Sequence, residues 1–216
     1  MFTGIIEETG RIVDKAGTAA SFRLTIGAAR ILEDLKPGDS IAVDGVCLTV
    51  ERVDRDRFTV YSSPETISRT TLERSKRGSW VNLERALTPI TRISGHFVLG
   101  HVDGVGSIRS IHREADSWRI SFALTGEELR YCVMKGSIAI DGISLTIAGL
   151  EERENIIQVA VIPFTYENTT LKEKRAGDPV NVETDIFARY VERFMSPRLD
   201  KGKIDENLLR NAGFIE

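Results

Sequence analysis

The stretch SIAVDGVCLTV, from Ser40 to Val50, returns at Ser137 to Ile147 as SIAIDGISLTI. Seven of the eleven positions are identical and three exchange Val for Ile, so the one change of chemistry is Cys47 against Ser144. Asp44-Gly45 and Asp141-Gly142 are two-residue hairpin signals, because both residue types accept the positive φ of a tight turn. Such a turn fixes the register: Val43 faces Val46, Ala42 faces Cys47, Ile41 faces Leu48 and Ser40 faces Thr49. Side chains alternate across a strand. One face then carries Ile41, Val43, Val46 and Leu48 and reads as core. The other carries Ser40, Ala42, Cys47 and Thr49, matched in the second copy by Ser137, Ala139, Ser144 and Thr146. Small, hydroxyl-bearing residues leave room for a flat ring and can read its polar edge. The other reading is a solvated outer face, but such faces usually carry Lys, Glu or Arg.

Outward from the hairpin, the repeat continues. SFRLTI from Ser21 matches SWRISF from Ser117 at an offset of 96, the hairpins match at 97, and Thr70-Thr71-Leu72 and Val81–Glu84 find partners at 99. Gly4 and Gly10 match Gly100 and Gly106. The slow growth of the offset is what small loop insertions produce. A unit of nearly a hundred residues is a whole domain, not a solenoid repeat. The expected division is residues 1–94, residues 95–184 and a helix with tail over 185–216, with TPITRISG as the joint. Duplication kept only for bulk is the plain alternative; the copies nevertheless agree best at the polar-faced hairpin.

Each copy holds about six short runs with strand alternation, in the first copy Ile5–Val13, Phe22–Ile26, Ser40–Val43, Val46–Val53, Phe58–Ser62 and Val81–Glu84. This predicts an all-β chain of two tandem six-stranded antiparallel barrels, which hide their edges by closing. Ser63-Pro64 predicts a short capped helix. Ile186, Tyr190, Val191, Phe194 and Met195 fall at helical spacing. Such a stripe should dock on something, and Ser196-Pro197 should end its helix.

Net charge is −3 and the sequence pI about 5.8, which argues against a nucleic-acid binder needing a basic face. No apolar run approaches the roughly 18 residues of a membrane span. The start MFTGIIEETGRIV lacks a basic region and a long apolar block, so the cytoplasm is expected. Cys47 and Cys132 form no C-x-x-C, and His96 and His101 are five apart, so no metal site is expected.

The MFTG start, the two hairpins, Gly100-His101, the two P-x-T segments running to TTL and the repeat length together resemble the riboflavin synthase family over about Met1 to Met195. The resemblance implies Greek-key barrels with a C-terminal helix, assembled as a homotrimer. It implies one 6,7-dimethyl-8-ribityllumazine per barrel, a site shared between subunits, and no cofactor. It implies a four-carbon transfer between two lumazines, giving riboflavin and 5-amino-6-(D-ribitylamino)uracil. Association with a lumazine-synthase shell is a further implication.

By position, the resemblance gives a first binding set of Gly4, Ile5, Ile6, Ser40, Cys47, Leu48, Thr49 and Ser62, Ser63, Pro64, Glu65 and Thr66. The second is Gly100, His101, Val102, Lys135, Ser144, Leu145, Thr146 and Val161, Ile162, Pro163, Phe164 and Thr165. Turnover is tied to Ser40, Cys47 and His101, with Phe2 and Thr3 closing the site. The copies differ where Phe164 replaces Glu65 and where Ile5 stands against His101, an inequality suited to one donor and one acceptor.

The substrate would supply its own electrophilic ring and acidic methyl. The protein need only hold two copies and move protons, and positioning alone is worth about 7 to 11 kcal/mol. His101 reads as a proton carrier, imidazoles titrating near neutrality, or as a merely packed histidine. Cys47 can add to the ring, donate a hydrogen bond or fill space, a supporting role being preferred to an obligatory nucleophile. Cys132 reads as core; His96 and His112 read as structural; Lys135 reaches a ring oxygen or is simply exposed. The rivals are a non-catalytic lumazine- or flavin-binding antenna and a reductase's flavin barrel, the latter lacking any G-x-G-x-x-G partner here.

Overall fold

The computed structural model describes residues 1–18, 21–195 and 210. Strands β1 (Glu8–Gly17), β2 (Phe22–Gly27), β3 (Ser40–Val43), β4 (Val46–Val53), β5 (Arg57–Ser62) and β6 (Trp80–Arg85) close into a barrel in the order β1-β2-β5-β4-β3-β6. Strands β7 (Gly104–Glu114), β8 (Ser117–Ala123), β9 (Ser137–Ile140), β10 (Ile143–Glu151), β11 (Ile156–Val161) and β12 (Pro179–Thr184) close in the same order, β7-β8-β11-β10-β9-β12. All pairings are antiparallel and the fold is all-β, as its periodicity predicts. Short helices decorate it, among them α1 (Pro64–Arg69), α2 (Gly126–Leu129), α3 (Pro163–Glu167) and α4 (Ile186–Met195).

Alternation builds each core. Phe22, Leu24 and Ile26 of β2 point inward with Ile41, Val43, Phe58, Val60 and Leu83. Ile120, Phe122, Ile138, Ile140, Val159 and Val182 do the same in the second barrel. Both hairpins hold the expected register, Ala42 opposite Cys47 and Ala139 opposite Ser144. Ser63 caps α1 by accepting from Thr66 N at 3.3 Å. Ile162 cannot do this for α3, so there the N1 proline acts without a side-chain cap.

The first strand begins at Glu8, not at Ile5. Gly4 adopts φ +75° and sends the next residues toward the other barrel, where Ile6 packs against the second core. Gly100, at φ +78°, does the reverse, and Val102 packs against the first core. The barrels therefore exchange segments.

Between them the contacts obey an approximate two-fold. Phe2 and Val98 bond each other's backbone at 2.7 and 3.1 Å. Asn82 Nδ2 donates to Asp141 O at 3.0 Å and Asn181 Nδ2 to Asp44 O at 2.8 Å. Asp44 Oδ1 accepts from Asn82 N at 2.8 Å and Asp141 Oδ1 from Asn181 N at 2.7 Å. These buried groups satisfy one another, and one residue breaks the symmetry. Lys174 Nζ lies 2.8 Å from Asp141 Oδ2, whereas Ser75 occupies the matching place in the first copy. Burial and the nearby Asp141 charge push the Asp44 carboxyl up to about 8.

Helix α4 is tied down by Arg189 to Asp103, by Glu192 to Arg130, and by an edge-on Phe97–Phe187 pair with centroids 5.8 Å apart. Among the described residues most of its apolar stripe stays uncovered: Phe194 is 82% and Met195 77% exposed, and Phe187, Tyr190 and Val191 are also exposed. The expected stop at Ser196-Pro197 and the tail beyond lie outside the described residues.

Candidate active site

Cys47 projects from β4 on the face away from the core and is half-buried. Its backbone N donates to Gly100 O at 2.9 Å. That bond lays Gly100, His101 and Val102 across the first hairpin. Beside them opens a cleft of about 250 Å³, whose other walls are Val46, the α1 residues Glu65, Thr66 and Arg69, the cap residue Ser63, and Thr70. Cys47, exposed His101 and Glu65 thus face one space, with hydroxyls from Ser63 and Thr66 at its edge. The cleft is of the right order for part of a planar heterocycle, with the rest open to solvent.

The second hairpin repeats the arrangement. Ser144 N donates to Gly4 O at 2.8 Å, which lays Gly4, Ile5 and Ile6 across it. Ile5 is exposed and lines a hollow of about 360 Å³ with Thr3, Glu84, Arg85 and, near the joint, Leu87, Thr88, Thr91, Arg92 and Ser94. Ser144 is not part of its lining. The sets carried over by position are therefore regrouped: Gly100, His101 and Val102 belong with Cys47, and Gly4, Ile5 and Ile6 with Ser144. The exchange of segments is the reason.

Several expectations change in detail. The small-residue face is not an open wall throughout. Ala42 and Ala139 are buried beneath Phe2 and Val98, so only its ends are free. Phe2 is fully buried between the hairpins, and Thr3 Oγ1 is bound to Glu84 at 2.6 Å. Leu48, Leu145 and Val161 turn their side chains into the cores and can offer a ligand only backbone. Ser62 is fully buried. Ser40 is half-buried opposite exposed Thr49, and Thr146 is likewise exposed. Lys135 sits exposed at φ 65° in the turn before β9. Pro64 and Pro163 start their helices; Ile162 and Phe164 expose 60% and 74% of their surface, an apolar lip where the first copy has Ser63 and Glu65. Thr165 O is bound by Thr169 Oγ1 at 2.8 Å. Cys132 is buried in the second core, and burial pushes its thiol up to about 12, as a core cysteine should behave. His112 is exposed.

His96, read from the sequence as structural, lies against the second hairpin. It is buried, its Nδ1 lies 2.7 Å from Ser144 Oγ, and its Nε2 has no partner among the described residues. Burial lowers its pKa below 6.5, favouring the neutral ring despite the opposing charge of Asp185. Glu84 and Glu183 were also missed, although VNLE and VNVE keep a Glu at matching positions.

Two fused barrels, each laying a segment across the other's hairpin, with a hydroxyl-edged cleft beside Cys47, define a paired-barrel small-molecule-binding protein. A profile of the lumazine binding domain matches residues 3–86 and again 99–185. Riboflavin synthase of Bacillus amyloliquefaciens is 44% identical over 195 residues, 90% of each chain. Riboflavin synthase of Actinobacillus pleuropneumoniae is 41% identical over 219 residues, covering 99% of this chain and all of that one. Among solved structures, LumP complexed with riboflavin superposes with a TM-score of 0.79 at 26% identity, over 85% of this chain and 99% of that one. LumP complexed with 6,7-dimethyl-8-(1'-D-ribityl) lumazine gives 0.77 over the same shares. The chain belongs to the riboflavin synthase family, with its lumazine binding domain present twice.

Proposed function

We propose that the protein converts two molecules of 6,7-dimethyl-8-ribityllumazine into riboflavin and 5-amino-6-(D-ribitylamino)uracil by four-carbon transfer. The observation that carries this reading is the cleft at Cys47, built jointly by one barrel's hairpin and the other's Gly100–Val102 segment. A matching segment lies on Ser144. One lumazine lies at each hairpin. The recess with Cys47, His101 and Glu65 differs chemically from the second hairpin, where Ser144 pairs with His96 and Phe164 replaces Glu65, which suits unlike donor and acceptor roles. Ser40 and the hydroxyls of Thr49, Ser63, Thr66 and Thr146 read ring edges, and Lys135 is a further candidate for a ring oxygen. His96 takes a proton through Ser144, and His101 moves one at the Cys47 recess. No cofactor enters the scheme.

Facing the two rings across copies of the chain requires an oligomer. The exposed α4 stripe supplies an apolar surface for it, and a homotrimer in the cytoplasm, with an active site between subunits, is the assembly proposed. Residues 1–94 and 95–184 are the two binding units, and association with a lumazine-synthase shell is part of the same proposal.

The likeness to LumP favours one alternative, a protein that binds lumazine or flavin without turnover. The deciding experiment adds the lumazine alone to purified protein and follows riboflavin absorbance. Catalytic accumulation of riboflavin supports the enzyme. Stoichiometric binding with unchanged lumazine overturns it in favour of the antenna.

A further inference from the structure

We propose that Glu183 is a positioning residue for the Cys47 recess, holding the Leu99–Gly100 segment so that His101 stands beside Cys47. The inference rests on reading that recess as the active site. Glu183 ends the buried face of β12, in the second barrel. Its Oε1 accepts from Leu99 N at 2.6 Å and its Oε2 from Gly100 N at 2.9 Å. The next link is already described: Gly100 O accepts from Cys47 N at 2.9 Å. The chain of bonds runs from one barrel's strand, through the crossing segment, to the other barrel's cysteine.

There is no slack in this chain. A Cβ added at Gly100 would lie 2.5 Å from Cys47 Cβ and 3.0 Å from the Phe2 ring. Two successive N–H groups converge on one carboxylate, an arrangement an amide cannot reproduce because it has a single oxygen. Burial works against this carboxylate and pushes its pKa up to about 7. A residue needed only for packing would be apolar here. Glu84 makes the corresponding bonds to Thr3 N at 2.7 Å and Gly4 N at 3.0 Å, so each crossing segment has its own clamp.

The test compares the full-length protein with Glu183→Gln, using iodoacetamide and mass spectrometry to time alkylation of Cys47 and Cys132 separately. Local release of the segment should speed Cys47 labelling about tenfold while buried Cys132 stays protected. Riboflavin formation should fall about tenfold or more, since small misplacements are costly. Glu84→Gln, which loosens the other segment, should label Cys47 at the wild-type rate. Unchanged Cys47 labelling in Glu183→Gln would overturn the proposal, as would Cys132 labelling that rises in step with Cys47. If the wild type makes no riboflavin, the functional reading fails by itself, because the labelling comparison needs no turnover.

Discussion

Gly45 and Gly142 stand turn to turn between the barrels, so close that a Cβ on Gly45 would lie 2.6 Å from the amide nitrogen of Gly142. Both adopt positive φ, +77° and +78°. Gly45→Ala combines a backbone clash with a disfavoured conformation and should cost about 3 kcal/mol. Urea unfolding would show it, and loss of barrel–barrel cooperativity should accompany it. A midpoint within error of wild type would mean the turns do not hold the interface.

Asp44 makes the interface sensitive to pH. Its carboxyl ionises near 8 in the fold against 3.8 ordinarily, so the native state keeps a proton that the unfolded chain loses. The stability linked to it is full below about pH 4 and declines as pH rises through about 8, by a few kcal/mol. The groups facing it are Asp141, Lys174 and Asn82. Asp44→Asn keeps an acceptor for Asn82 N and cannot ionise. Its unfolding midpoint should therefore fall less between pH 5 and 8 than that of the wild type, as chemical denaturation at a series of pH values would record.

Cys47→Ser should lower turnover by about tenfold while changing lumazine affinity much less. Steady-state kinetics beside a fluorescence titration separates the two. Equal losses in both would reduce the thiol to a contact that helps hold the ring.

His96→Asn should lower turnover by about a hundredfold, the usual worth of a positioned base. In the wild type, the acid limb of the rate profile attributable to His96 should lie below pH 6.5, because burial lowers its pKa. Loss of that limb in the variant, with the melting temperature little changed, is the expected pattern. A variant of full activity would return His96 to a packing role.

Deleting the residues after Thr184 removes α4 and its exposed Phe187, Tyr190, Val191, Phe194 and Met195. Sedimentation should then find monomers with little activity. A fully active monomer would contradict a site shared between subunits.

The barrels were legible because hairpin chemistry and alternation are local. Asp44-Gly45 fixed the pairing of Ala42 with Cys47, and the duplicated stretch carried the same register into the second half. The crossing was not legible. Ile5 to Val13 alternates in the same way whichever barrel receives Ile6, and periodicity does not name a partner. Ala42 and Ala139 are small because Phe2 and Val98 lie over them, not because a ring does. His96 escaped the repeat comparison because, at an offset of 96, its counterpart would precede Met1. Spacing placed the α4 stripe on one helix face but could not say how much of it stays exposed.

Because each hairpin borrows its covering strap from the opposite half, residues far apart in the gene must change as couples. Substitutions near Cys47 are tried against the loop at Gly100, and those near Ser144 against the loop at Gly4. A chimera spliced at the joint between Thr88 and Gly95 would pair one parent's hairpin with the other's strap at both hairpins at once. Grafting between relatives should therefore succeed only when straps travel with the hairpins they cover.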